Sequence, residues 1–234
     1  MIVRHAGGVL HLITQPDHAR LAGAIMAQAA ALAAHPRRAS ILLAISEHDN
    51  GWTEPDAAPL VDPATGVPLD FISAPAAVRQ GVWPRGVRRL GNDPWAAALV
   101  AQHSLAIFER YRRDPAWSGF FAGMETLRGS YLHAGGGRLG DLLDDYRFVR
   151  LGDVISLTFC NAWTEIQQSG EWRLHLSGDR LTVLPDPFDG REIPIAIQAR
   201  EIPRRAFGSD EELRSALAAA PLRSLTGVIT SPPS

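Results

Sequence analysis

The sequence predicts a mainly α fold of the α+β class: a helical core closed by a small antiparallel β-sheet drawn from the N- and C-terminal segments. Two observations lead there. Ala- and Leu-rich runs with apolar residues at helical spacing fill most of the chain between residues 16 and 164. Alternating apolar and polar residues, with β-branched side chains and glycine turns, occupy 1–15 and return over 168–205. A lone hairpin is marginal in water, so the two β-rich ends are expected to pair with each other as an accessory sheet. The 234 residues suffice for a sizeable core and read as a single domain, 1–234.

In chain order, Ile2 to Arg4 and Val9 to Thr14 form a hairpin about Gly7-Gly8. Asp17 caps a first helix, His18 to Ala34, which His35-Pro36 stops. A second helix, about Arg38 to His48, ends at Asn50-Gly51. Residues 52–91 carry Pro55, Pro59, Pro63, Pro68, Pro75 and Pro84 with little periodicity, and are expected to be a lid loop over a site at 48–49. Helices resume at Asp93-Pro94, an N-cap followed by proline, to about Arg112, then over Trp117 to His133 and Leu139 to Trp163, the last with a break expected near Arg147. Strands follow at Trp172 to Leu176, Arg180 to Leu184 and Ile193 to Ile202. Ser209 caps a short helix to Ala219, and the Pro-rich end is expected to fray.

The composition excludes several chemistries. Net charge is -2, which suggests no nucleic acid polymer as partner. None of the 23 basic residues is lysine, which removes a Schiff-base or phosphate-loop lysine. The single cysteine, Cys160, cannot close an internal disulfide and reads as a buried thiol in a reducing compartment. No apolar run reaches the ~20 residues that span a bilayer, and Met1-Ile2-Val3-Arg4 lacks a secretory pattern, so no membrane association and a cytoplasmic location are expected.

What remains is a set of metal-liking side chains on the apolar faces of separate helices. His18 shares a stripe with Leu21, Ala22, Ile25 and Met26; His48-Asp49 follows Ile41, Ala44 and Ile45; Asp153 lies between Val149 and Leu157. His103 sits among Leu99, Val100 and Ile107, where a structural core histidine is the competing reading. Burying such groups costs several kcal/mol unless something binds them, and a shared divalent cation is the simplest partner. Imidazole with carboxylate suits Mn, Fe, Ni, Co or Zn, or Mg with waters. Glu54 and Asp56, just after the doublet, are candidate general bases or else turn and cap residues. Trp52 is a candidate pocket wall, and Arg88 and Arg89 are a candidate phosphate grip or else a solvated face.

The order Asp17-His18-Ala19, Glu47-His48-Asp49-Asn50-Gly51 and Gly152-Asp153-Val154-Ile155-Ser156-Leu157 resembles the HD-domain superfamily of metal-dependent phosphohydrolases. The resemblance implies an HD-like helical core with His18, His48, Asp49 and Asp153 as metal ligands, and with His103 as a ligand where extra histidines hold a second ion. It also implies hydrolysis of a phosphate ester or nucleotide by a metal-activated water, with a small phosphate-containing molecule as ligand. Many members have lysine after the glycine, where this chain has Trp52. That departure keeps an alternative in play, a catalytically inactive metal- or ligand-binding regulatory protein on the same scaffold. A metal-dependent oxygenase on that scaffold would need more ligands than His103 adds. The chain is also similar, over nearly its whole length, to an uncharacterised bacterial family whose members open with Met-Ile-Val-Arg; Leu12-Ile13-Thr14-Gln15, His48 to Trp52, Ser156 to Cys160 and Pro185-Asp186-Pro187-Phe188 carry that likeness. A homodimer is left open.

Overall fold

The chain begins with an antiparallel hairpin, β1 (Ile2–Ala6) and β2 (Val9–Ile13), in which Ile2 faces Ile13. This computed structural model describes residues 1–230. Helix α1 (Gln15–Met26) follows at once. Its N-cap is Thr14, whose hydroxyl accepts from the Asp17 amide at 3.1 Å, so the helix starts two residues before the expected Asp17 cap. It also ends early, at Met26, and only a 3-10 turn at Ala30–Leu32 continues the Ala-rich run.

Helix α2 (Arg38–Glu47) buries Ile41, Ala44 and Ile45 and ends at His48. The segment 52–91, expected as a lid loop, is helical in part. It holds the short helix α3 (Thr53–Ala57) and the long helix α4 (Ala76–Arg89), which buries Val82, Trp83 and Val87. Pro84 lies inside α4 and masked it in the sequence, because proline removes a donor and normally ends a helix.

Helix α5 (Pro94–Ile107) is buried on every side from Trp95 to Leu105, as its nearly unbroken apolar sequence requires. It packs on α2, α4, α6 (Ser118–Ala134) and α7 (Leu139–Asn161). No break occurs in α7 near Arg147. Two glycines set how closely the site-bearing helices cross. A Cβ on Gly23 of α1 would stand 1.9 Å from Ser46 Oγ on α2, and one on Gly152 of α7 would stand 2.8 Å from Met26 Cγ and 3.0 Å from Ile45 Cγ2.

A buried ion pair ties the same helices together at a second point. Asp145 of α7, 2% exposed, accepts from Arg37 Nε at 2.6 Å and from Trp95 Nε1 at 2.9 Å, and His35 Nε2 lies 3.3 Å from its other oxygen. Arg37 is the residue before α2 and Trp95 opens α5.

After α7 come β3 (Gln167–Ser169), β4 (Trp172–Ser177), β5 (Arg180–Leu184), β6 (Ile193–Pro203), α8 (Asp210–Ala219) and β7 (Leu222–Thr230). Here the fold class departs from expectation. The described residues are 51% helical, and the strands form a seven-stranded mixed sheet shaped as a half-barrel, a substantial layer in place of a small antiparallel one. Its order is β1-β2-β6-β7-β5-β4-β3. Two strands were unexpected, β3 and β7, and β7 runs antiparallel to β6 and parallel to β5 and joins the two halves. Local pattern hid it: Leu222–Thr230 lacks clean alternation and lies in the end expected to fray, and only pairing with distant strands makes it a strand. Residues 231–234, the last of that end, lie outside the described residues.

Strand β6 alternates as its sequence indicates, turning Ile193, Ile195, Ile197 and Ala199 into the core under α1. Helix α7 rests on β1, β3 and β4. A second apolar cluster, with Leu10, Leu12, Ile202, Phe207 and Leu213, sits beneath α8. Among the described residues no helix is long and apolar enough to cross a membrane.

Candidate metal centre

Four helices deliver one polar cluster into the apolar core. His18 stands in the first turn of α1; His48 and Asp49 end α2; His103 lies midway along α5; Asp153 lies in the inner stripe of α7. All five are buried, at 0, 1, 5, 2 and 7% exposure for His18, His48, Asp49, His103 and Asp153. Each was legible as a polar residue on an apolar face, and the fold brings all of them together.

The three imidazoles are oriented alike. His18 Nδ1 lies 2.8 Å from Ser156 Oγ, whose own hydrogen goes to the Asp153 carbonyl at 3.0 Å, so His18 donates to the serine. His48 Nδ1 donates to the Ile45 carbonyl at 2.7 Å, and His103 Nδ1 meets the Tyr146 hydroxyl at 3.2 Å. With every Nδ1 held by a neutral oxygen, every Nε2 faces the carboxylates. His18 Nε2 is 2.8 Å from Asp49 Oδ2 and 4.0 Å from Asp153 Oδ1. His48 Nε2 is 3.3 Å from Asp153 Oδ1 and 3.6 Å from Asp49 Oδ2, and His103 Nε2 is 3.6 Å from Asp153 Oδ2.

The spacing of these atoms could hold a cation. Donors bound to one ion at about 2.1 Å stand about 3–4 Å apart, the range of the separations above. Two triads meet that condition and share His48: His18, His48 and Asp49, and His48, His103 and Asp153. His48 Nε2 is buried and, among the described residues, meets no acceptor in good hydrogen-bond geometry, although two carboxylates face it. A partner on the far side of each imidazole is also how protein metal ligands are held in one tautomer and orientation.

Burial and charge set the protonation states. Burial alone would lower the His48 pKa, but Asp49 and Asp153 outweigh it and raise it to about 9. Burial dominates at His103 and lowers it to about 4, leaving a neutral ring. Burial would raise the Asp153 carboxyl, but His48, His103 and His18 hold it well below the usual range, and burial keeps the Tyr146 hydroxyl protonated. A cation that takes His48 Nε2 therefore displaces a proton at neutral pH. Its affinity is expected to rise about tenfold per pH unit up to about pH 9 and then level off, as calorimetry in buffers of different ionisation enthalpy can measure. A flat profile would mean that the metal-free protein already holds His48 neutral.

Above the cluster opens a cavity of about 190 Å³ with Asp49, His103 and Asp153 in its lining. Trp52 forms part of the wall, as expected, beside Phe71, Trp83 and Phe108. The other candidates lie elsewhere. Asp56 is buried, but it accepts from the Met1 ammonium at 2.5 Å and the Gln15 amide at 2.6 Å. Glu54 is exposed and pairs with Arg85 and Arg89, and Arg89 also donates to the Asn50 carbonyl. Arg88 is exposed and outside the cavity. None of these four candidates, Glu54, Asp56, Arg88 and Arg89, lines the cavity.

Sequence reasoning missed Ser156, Tyr146, Arg79 and Arg110. The first two were accessible, being three residues after and seven before Asp153 on one helix and so on its face. Arg79 and Arg110 both line the cavity, but they come from separate elements and carried no local signal.

A family model described as "Protein of unknown function (DUF3891)" matches residues 1–204, and the chain belongs to that family. The match ends before α8 and β7. No curated protein and no solved structure matches the chain.

Proposed function

We propose that this member of the family is a metal-dependent hydrolase of phosphate esters. The observation that carries the reading is the common orientation of His18, His48 and His103, with each Nδ1 tied to a neutral oxygen and each Nε2 turned toward Asp49 and Asp153. The likeness to the HD-domain superfamily is part of the proposal and rests on the ligand order and this convergence. When bound, a divalent cation such as manganese, iron, cobalt, nickel, zinc or magnesium supplies a Lewis acid that polarises a phosphoryl oxygen and acidifies water.

The protein's part is to hold and to exclude. His18, His48, Asp49 and Asp153 would hold the ion, with His103 completing the set, and Ser156, the Ile45 carbonyl and Tyr146 fix the rings. Because Glu54 and Asp56 are engaged elsewhere, Asp49 would be the carboxylate to take a proton from an attacking water, since Asp153, held well below the usual carboxylate range, is the weaker base. Aromatic walls limit bulk water around them.

A screen of phosphate monoesters and nucleotides across these metals tests the reading. Wild-type protein is expected to turn over at least one ester with at least one metal, and His48→Ala to lose that turnover, with partial rescue by excess metal. The competing reading is a regulatory metal- or ligand-binding protein, which the absence of a separate acid near the cluster favours. No difference between wild type and His48→Ala across the screen would decide for it.

A further inference from the structure

The cavity carries two arginines that the metal-centre reading leaves unused. Arg79 on α4 and Arg110 in the 3-10 turn after α5 both line it, and neither forms an ion pair among the described residues. Nearby arginines do: Arg85 and Arg89 pair with Glu54, and Arg112 with Glu109 and Glu125. Tyr111 holds both free guanidiniums without neutralising them. Arg79 lies 5.6 Å from its ring centre and Arg110 4.8 Å, and Arg79 Nη1 reaches its hydroxyl only at 3.5 Å. Arg79 Nε is buried with no hydrogen-bond partner among the described residues.

Two arginines with no ion-pair partner among the described residues, beside a cluster proposed to hold a cation, suit an anionic ligand. The walls between them are mostly aromatic, with Trp52, Phe71, Trp83 and Phe108; Gln15 Oε1 and Trp83 Nε1, which have no hydrogen-bond partner among the described residues, add one acceptor and one donor, fewer than the several hydroxyls of a sugar need. Size narrows the occupant further: a cavity of about 150 Å³ accepts benzene. The 190 Å³ here suits one ring with its anionic substituent and is too small for a dinucleotide.

We propose that Arg79 and Arg110 form the anion grip of this cavity, and that its occupant is a small phosphate ester of a single flat aromatic ring. The chemistry of that occupant rests on the hydrolase reading, whereas the grip itself is a matter of binding. The test separates them by following tryptophan fluorescence, since Trp52 and Trp83 line the cavity. The full chain, metal-loaded and metal-free, is titrated with phenylphosphonate, methylphosphonate and glucose 6-phosphate.

Phenylphosphonate is expected to bind the loaded protein at least about tenfold more tightly than either other probe. Arg79→Gln and Arg110→Gln are each expected to weaken it about tenfold with metal content unchanged, while Arg88→Gln, outside the cavity, has no effect. Arg110 is exposed, so its variant stands even where Arg79→Gln disturbs packing. Equal affinities for the three probes, or Arg110→Gln binding like wild type, would overturn the proposal. Tight phenylphosphonate binding without hydrolysis of any ester sinks the hydrolase reading and leaves the grip. Hydrolysis without aromatic preference does the reverse.

Discussion

Replacing Asp49 by alanine is expected to abolish the stabilisation that a divalent cation gives this protein. A ligand bound only by the folded state raises stability by about 2.7 kcal/mol at a hundred times its dissociation constant. Asp49 is the carboxylate nearest His18, at 2.8 Å, and stands 3.6 Å from His48, so its loss removes one donor and the charge that orients two others. Melting curves of wild type should move upward as manganese, cobalt, nickel or zinc is added, and those of Asp49→Ala should not. Without metal the two proteins should differ much less, because the variant also relieves a buried carboxylate. Equal displacement of both curves by metal would assign Asp49 a structural role only.

Asp145→Ala is expected to cost about 2 kcal/mol in urea unfolding. The change removes the buried member of the pair and leaves Arg37, whose side chain is 37% exposed, able to reach water, so no buried charge is stranded. Trp95 Nε1 would also lose its acceptor inside the core. Since Asp145 joins Arg37 before α2, Trp95 on α5 and its own α7, the loss loosens the helices that bear His48, His103 and Asp153. Weaker metal affinity should accompany the lower stability. Asp145→Asn, which keeps an acceptor for Trp95, should recover part of both. A variant as stable as wild type would show that apolar packing alone positions these helices.

The sequence by itself determined most of the helices, though not α3 or α4, and the five polar residues of the buried cluster. Helical periodicity is local, so a polar side chain in an apolar stripe can be read without knowing its neighbours, and His18, His48, Asp49, His103 and Asp153 all surfaced in that way. The tertiary structure decided everything that depends on which charge meets which. Glu54 and Asp56 looked like bases from their distance along the chain to the doublet, yet Arg85 with Arg89 and the Met1 ammonium claim them across space. Arg79 and Arg110 became a pair only when α4 and the turn after α5 closed on one cavity. The sheet followed the same rule. Strands β1, β2, β4, β5 and β6 announced themselves by alternation, but β7 exists through pairing with β6 and β5, and a strand's partners lie outside its own sequence.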